Sequence, residues 1–310
     1  MTRKELIDNL AAALGHFPLA IRDLSDRSTI GTGGPAVVAT ARNEADLINF
    51  IRHHAREGLV FAVLGWASNV LVPDRGLSVP VLTLGGDLIS VSVRGTRLRA
   101  WGGATARAVL GAAATAGLSG LEMMAGIPGT VGGAAMGNAG SKNLGLANLV
   151  EELELITPAG EKAVLSKGEL NPVYRSLNLP PELAGSVVSS VTLELTPSDE
   201  EQVRAEIRSV LGGRKGSQPV GRSLGSVFKN PPGIAAGKLM HLCGLRGKTI
   251  GGAAISEMHA NFIMNVGGAT STDVTTLAAY AREAVFRHHE VTLVPEIKIW
   301  DETGLDVGLP

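Results

Sequence analysis

GLSGLEMMAGIPGTVGGAAMGNAG, residues 117–140, holds eight glycines and one charged side chain, Glu122. It is too apolar for a linker and too rich in glycine for an ordinary core helix. Glycine lets main chain approach a ligand closely. With Gly126, Gly129, Gly132 and Gly133 leaving little side chain in the way, a broad planar ring can lie against this backbone. A second stretch, FAVLGWASNVLVPDRG (61–76), is an apolar strand running into a turn of small residues. There, exposed backbone N–H groups and the Ser68 and Asn69 side chains suit a pyrophosphate. Tight turns and close helix packing are the ordinary use of glycine, and explain either stretch taken alone.

Bulk properties bound what such walls serve. A chain of 310 residues, 45% hydrophobic and 18% charged, buries a large core and is long enough for two or three units. With 28 basic against 29 acidic side chains, it carries no footprint for nucleic acid or an anionic membrane. Cys243 is the single cysteine, which rules out an internal disulfide and a Cys-rich zinc site and fits a reducing compartment. The seven histidines show no metal spacing; His288 and His289 close a helical pattern, where a cation is ordinary. Glu5 and Asp8 fall where a signal peptide needs its apolar core, and no apolar run is long enough to span a membrane, so a cytoplasmic location is expected.

Helical periodicity marks residues 3–14, 44–57, 104–116, 198–212 and 271–288, the last opening on a capping STD. Strand-like runs alternate with them: 60–65, 81–85, 89–93, 97–103, 149–157, 186–195, 261–265 and 291–300. This is an α+β or mixed α/β chain. The polar GGRKGSQPVGRS stretch that follows residue 211 reads as the main boundary.

Three familiar motifs fail on context. GTGGPA (31–36) fits G-x-G-x-x-A, but no buried strand precedes it and Pro35 stands where the helix should begin. GLRGKT (244–249) lacks the first P-loop glycine, since Leu242 occupies its place. GRSLG (221–225) matches a nucleophile elbow around Ser223, with His259 and Asp273 downstream in the wrong order and no apolar strand leading in.

AGIPGTVGGAAMGNAG (125–140), LGWASNVLVPDRG (64–76), STIGTGGPA (28–36), VYRS (173–176), GSVFKNP (225–231), AGKLMHLCGLRGKTIGGAAISEMHANFIMN (236–265) and LVPEI (293–297) together resemble the UDP-N-acetylenolpyruvylglucosamine reductase family of peptidoglycan synthesis. These motifs span nearly the whole chain. The resemblance implies an α+β protein with a two-part FAD-binding region of the vanillyl-alcohol oxidase type, residues 1–83 and 84–206. A smaller substrate-binding domain follows at 207–310, its C-terminal strand returning to the active site. It implies non-covalent FAD, NADPH as hydride donor and a UDP-sugar substrate, and leaves the oligomeric state open.

The family reaction adds hydride from reduced flavin to the methylene carbon of an enolpyruvyl ether, leaving negative charge on the neighbouring carbon, which must be protonated. By resemblance Ser226 is the proton donor, while Arg175 and Glu296 steady the charged intermediate. An Arg fork suits a carboxylate, and a nearby acid can reload the donor. Gly65, Trp66, Ala67, Ser68, Asn69, Gly126, Ile127, Gly129, Thr130, Gly132, Gly133 and Asn138 are expected at FAD. Tyr174, Arg214, Gln218 and Asn230, with Lys215 nearby, are expected at the UDP-sugar. His259 is read as packing near the substrate. Without the resemblance, Ser226 reads as a turn hydroxyl, Arg175 as a surface charge and Glu296 as a strand-end carboxylate.

The chain departs from the family pattern in three places. Trp66 and Ala67 replace two small residues, GNAGSKN (137–143) lacks an aromatic continuation, and VYRSLNLP is one residue short after Arg175. No long insertion follows Arg175, as in the shorter family type without the extra tyrosine-bearing, substrate-covering loop. A flavin oxidase of small alcohols or lactones would keep the two FAD units without needing GSVFKNP. A non-catalytic UDP-sugar binder would keep the third unit and lose the flavin.

Overall fold

A computed structural model describes residues 2–141 and 144–309. Lys142 and Asn143 of the GNAGSKN stretch lie outside the described residues. Three larger sheets, each packed on apolar clusters, organise the rest, with three two-stranded pairings among the described residues.

The first sheet has the order Leu19–Asp23, Pro35–Ala41, Val81–Leu84, Ala62–Val63; its first pair is antiparallel and the others are parallel. Pro35 can open its strand because a first residue tolerates the missing N–H. Helix α1 (Arg3–Leu14) starts in a Thr2/Glu5 capping box, and α2 (Glu44–Glu57) is capped by Asn43 and stopped by left-handed Gly58. The apolar face of α2, Leu47, Phe50 and Ile51, packs with Ala39, Ala41 and Leu82 of this sheet.

The second sheet is antiparallel throughout, in the order Lys162–Ser166, Val150–Ile156, Val187–Glu194, Arg97–Trp101, Val91–Arg94. Its core also takes in Val109 and Ala113 of α3 (Ala106–Thr115) and Val131 and Ala135 of α4 (Val131–Met136). Helix α4 lies inside the opening glycine stretch, where the sequence offered no helical period; Thr130 caps it by accepting from Gly133 N.

Helix α5 is longer than its expected span, running Glu200–Ser217 through Gly212 and Gly213. It stops where Gln218 turns extended before Pro219, as a residue preceding proline prefers. A domain division at 206/207 would therefore fall inside a continuous helix. The third sheet, Ser223–Ser226, Phe262–Asn265, Ala253–Ile255, Thr249–Ile250, is antiparallel. Its core-facing residues Ala253, Ile255 and Ile263 pack with α6 (Ala236–Leu242) and α7 (Ser271–His289).

The strand expected at 291–300 shrinks to Lys298–Ile299, which pairs in parallel with Val70–Leu71. Pro295 brings no N–H, and the backbone before Lys298 is spent on single bonds: Lys229 N donates to Val294 O and Glu296 N to Val227 O, each at 2.8 Å. This return of the chain joins the third sheet to the 61–76 turn.

Candidate active site

The two glycine-rich walls meet. Ser68 Oγ donates to Pro128 O at 3.1 Å, a Cβ on Gly129 would stand 2.9 Å from Ser68 Oγ, and one on Gly65 would stand 2.6 Å from Thr130 Oγ1. A side chain at either glycine would collide with the opposite wall. Gly132 N donates to Gly102 O at 2.8 Å, and a Cβ there would press the same carbonyl. Ala67 is buried and holds a left-handed φ of 43°, a conformation glycine takes more cheaply; Trp66 beside it is exposed. Buried hydroxyls on the surrounding strands and turns, Ser28, Thr32, Ser189 and Ser190, have no protein partner. Open backbone, glycines that a Cβ would block and orphaned hydroxyls together fit a flavin dinucleotide.

Three of the expected cofactor residues also bond to protein. Asn138 takes φ 40°; its amide donates to Val173 O at 3.0 Å and its Oδ1 accepts from Ala147 N at 3.1 Å, fixing the segment that presents Tyr174 and Arg175. Asn69 Nδ2 donates to Glu296 O at 3.1 Å. Ile127 N closes a turn to Met124 O.

Residues far apart in sequence converge beside Asn69 of the first wall. Arg175, at φ 59°, donates from Nε to Glu296 Oε1 at 2.7 Å and from Nη1 to Gly140 O at 3.3 Å. Glu296 is anchored by its N–H to Val227 O, one residue beyond Ser226 at the end of its strand. Burial pushes the Glu296 carboxyl above the usual carboxylate range, against the opposing pull of Arg175 and Lys229. Lys229 was not singled out from the sequence, although it stands between Ser226 and Asn230 in GSVFKNP.

Around this core lie the residues expected at the UDP-sugar. Tyr174 is exposed, stacks under the Arg175 guanidinium at 5.2 Å, and its hydroxyl meets Asn230 Nδ2 at 3.5 Å. Asn230 Oδ1 in turn accepts from Ala236 N at 3.0 Å, at the start of α6. Arg214, on the last turn of α5, packs on Gly126 and donates to Met123 O at 3.0 Å. Burial, and then the nearby Arg175 charge, lower its pKa, so two guanidiniums share this region. Such a pair suits an anionic ligand. Gln218 ends α5 with its N–H on Arg214 O. His259 packs edge-on against Phe262, and burial lowers its pKa, in keeping with a packing role. Among the described residues there is no metal-ligating cluster, and no helix is long and apolar enough to cross a membrane.

Comparison with known proteins supplies the frame for this geometry. An FAD binding domain matches residues 35–166, and the UDP-N-acetylenolpyruvoylglucosamine reductase C-terminal domain matches 218–300. These matches bear out the expected FAD-binding region and the smaller C-terminal unit. The chain is 40% identical over 281 residues to UDP-N-acetylenolpyruvoylglucosamine reductase of Moorella thermoacetica, covering 90% of this chain and 92% of that one. It is 37% identical over 279 residues to UDP-N-acetylenolpyruvoylglucosamine reductase 2 of Symbiobacterium thermophilum, with 89% and 90% covered. The crystal structure of UDP-N-acetylenolpyruvylglucosamine reductase from Thermus caldophilus superposes with a TM-score of 0.81 at 36% identity, over 92% of this chain and 100% of that one. The chain therefore belongs to the UDP-N-acetylenolpyruvoylglucosamine reductase family and is an FAD-dependent oxidoreductase.

Proposed function

We propose that this enzyme uses NADPH to reduce the enolpyruvyl ether of UDP-N-acetylglucosamine-enolpyruvate to UDP-N-acetylmuramate. This is a cytoplasmic step of the peptidoglycan precursor synthesis on which cell wall, cell shape and division depend. The observation that carries the reading is the Arg175–Glu296 pair at 2.7 Å, anchored one residue from Ser226 and tied to the 65–69 turn through Asn69 Nδ2. The 65–69 turn and the 126–133 stretch would hold FAD without a covalent bond. Bound FAD supplies a two-electron carrier between nicotinamide and ether.

The remaining chemistry falls to side chains of this chain. Arg175 receives the substrate carboxylate, on which negative charge grows as the methylene carbon is reduced; a planar fork fits that group better than an ammonium does. Ser226 Oγ–H gives its proton to the adjacent ether carbon. Glu296, whose pKa burial raises, returns a proton to Ser226 Oγ. Tyr174, Asn230, Arg214 and Gln218 hold the UDP-sugar. We place the start of the substrate unit after Ser217, where α5 ends, and keep the division between the two FAD units at 83/84.

Two half-reactions separate these roles. Ser226→Ala is expected to leave bleaching of the flavin by NADPH intact. Reoxidation by the UDP-sugar should slow about a hundred- to ten-thousand-fold, the usual cost of losing a positioned general acid. Ser223→Ala should cost far less. Stopped-flow absorbance reads both, and product formation by Ser226→Ala at near wild-type rate would overturn the assignment.

A further inference from the structure

We propose that Asn69 is a positioning residue for the Glu296 carboxylate: its amide, carried on the cofactor-facing turn, holds the Glu296 main chain and so sets the acid against Arg175 and Ser226. The inference rests on the reductase reading above.

Glu296 lies outside any strand, and its peptide is gripped from two sides: its N–H donates to Val227 O at 2.8 Å and its C=O accepts from Asn69 Nδ2 at 3.1 Å. Asn69 O also accepts from Lys298 N at 2.9 Å, so one residue bonds the chain on both sides of Ile297. The Lys298–Ile299 and Val70–Leu71 pairing begins just beyond it. Asparagine thus extends that pairing by one bond, using a side chain where strand geometry has lapsed. The preceding residue, Ser68, is bonded to the opposite glycine wall through Pro128 O. The turn that lines the cofactor space therefore also fixes the acid used on the substrate.

Two cations act on the Glu296 carboxyl: Arg175 from the 173–176 turn and Lys229 from the chain after Ser226. With the amide gone, the Glu296 peptide keeps one of its two bonds. Its carboxyl should then gain water and titrate closer to the ordinary carboxylate range.

The test uses FAD-loaded Asn69→Ala, with Asp74→Ala as a second variant. Asp74 anchors the same turn to the start of α7 by accepting from Ser271 N at 2.9 Å and Ser271 Oγ at 2.7 Å, bonds that do not involve Glu296. For Asn69→Ala the FAD dissociation constant, read by flavin fluorescence, should stay within about threefold of wild type. Flavin reduction by NADPH should be unchanged. Reoxidation by UDP-N-acetylglucosamine-enolpyruvate should slow roughly ten- to a hundred-fold, as for a misplaced catalytic group, and the limb on which activity falls as Glu296 loses its proton should move to lower pH. Asp74→Ala should keep the wild-type limb. If Asn69→Ala weakens FAD binding and reoxidises normally once saturated, Asn69 is a cofactor ligand and the inference fails. It fails equally if Asp74→Ala moves the pH limb as far. Wild-type enzyme that the UDP-sugar does not reoxidise would instead sink the reductase reading itself.

Discussion

At Glu296 a single carboxyl ties function to stability. Its pKa is raised above the ordinary 4.5, first by burial and in spite of Arg175, so the fold prefers its protonated form. A group raised in this way contributes stability that is full below the unfolded value and is lost as pH climbs through the folded one. Above that folded value the ionised side chain works against the fold. Glu296→Gln, which imitates the protonated acid, should melt higher than wild type near neutrality, and the gap should close as pH falls below the ordinary carboxylate range. Turnover should meanwhile drop by about a hundredfold or more. Calorimetry across pH gives the sign, and a variant that melts lower at pH 7 would show that the bond to Arg175, not burial, dominates. Neither partner was legible from local pattern. Arg175 and Glu296 stand 121 positions apart, and only their place in a series of ordered motifs marked them. Lys229 had no such mark, because its influence comes from a fold that returns residue 296 alongside it.

Helices with a clear apolar period and a capping residue were read almost to the residue: 44–57 is α2, and 271–288 is α7 less its last residue. The misreadings share a cause, which is that glycine and proline report backbone freedom rather than the state adopted. Gly212 and Gly213 did not end α5, whereas the proline after Gln218 did. Within 117–140 a short helix formed because Thr130 caps it and its small residues pack against the second sheet. Which glycines matter for the walls is testable element by element. A methyl on Gly65 would meet Thr130 Oγ1 at 2.6 Å, whereas one on Gly111 of α3 meets nothing within 4 Å. Gly65→Ala should fold, since Gly65 is not among the positive-φ residues, and should weaken FAD binding about tenfold or more. Gly111→Ala should bind FAD normally and gain about 0.5–1 kcal/mol from helix propensity. Fluorescence titration and thermal melts of the pair separate a cofactor wall from a mere turn; equal FAD affinities would remove Gly65 from the wall.

The molecule as a whole is joined through the 61–76 turn. Ser68 reaches the second glycine wall, Val70–Leu71 pairs with Lys298–Ile299, and Asp74 clamps the start of α7. None of these ties was visible in the sequence, since each is a long-range bond between segments that show no shared period. Their arrangement makes one ligand the business of all three sheets. FAD at a hundred times its dissociation constant should stabilise the fold by about 2.7 kcal/mol, as for any ligand of the native state. If the turn carries that stabilisation outward, removing FAD should speed amide exchange beyond the walls themselves. Lys298 N, whose acceptor is Asn69 O, and Ser271 N, whose acceptor is Asp74, are the reporters on the far side. Hydrogen exchange read by mass spectrometry, with and without FAD, should show protection lost at 298–299 and at 271–274 together with 65–69 and 126–133, while the middle of α7, around buried Leu277, Ala278 and Ala281, stays protected. Loss confined to the two glycine walls would mean that the turn transmits nothing, and that the substrate unit keeps its own stability whether or not the cofactor is bound.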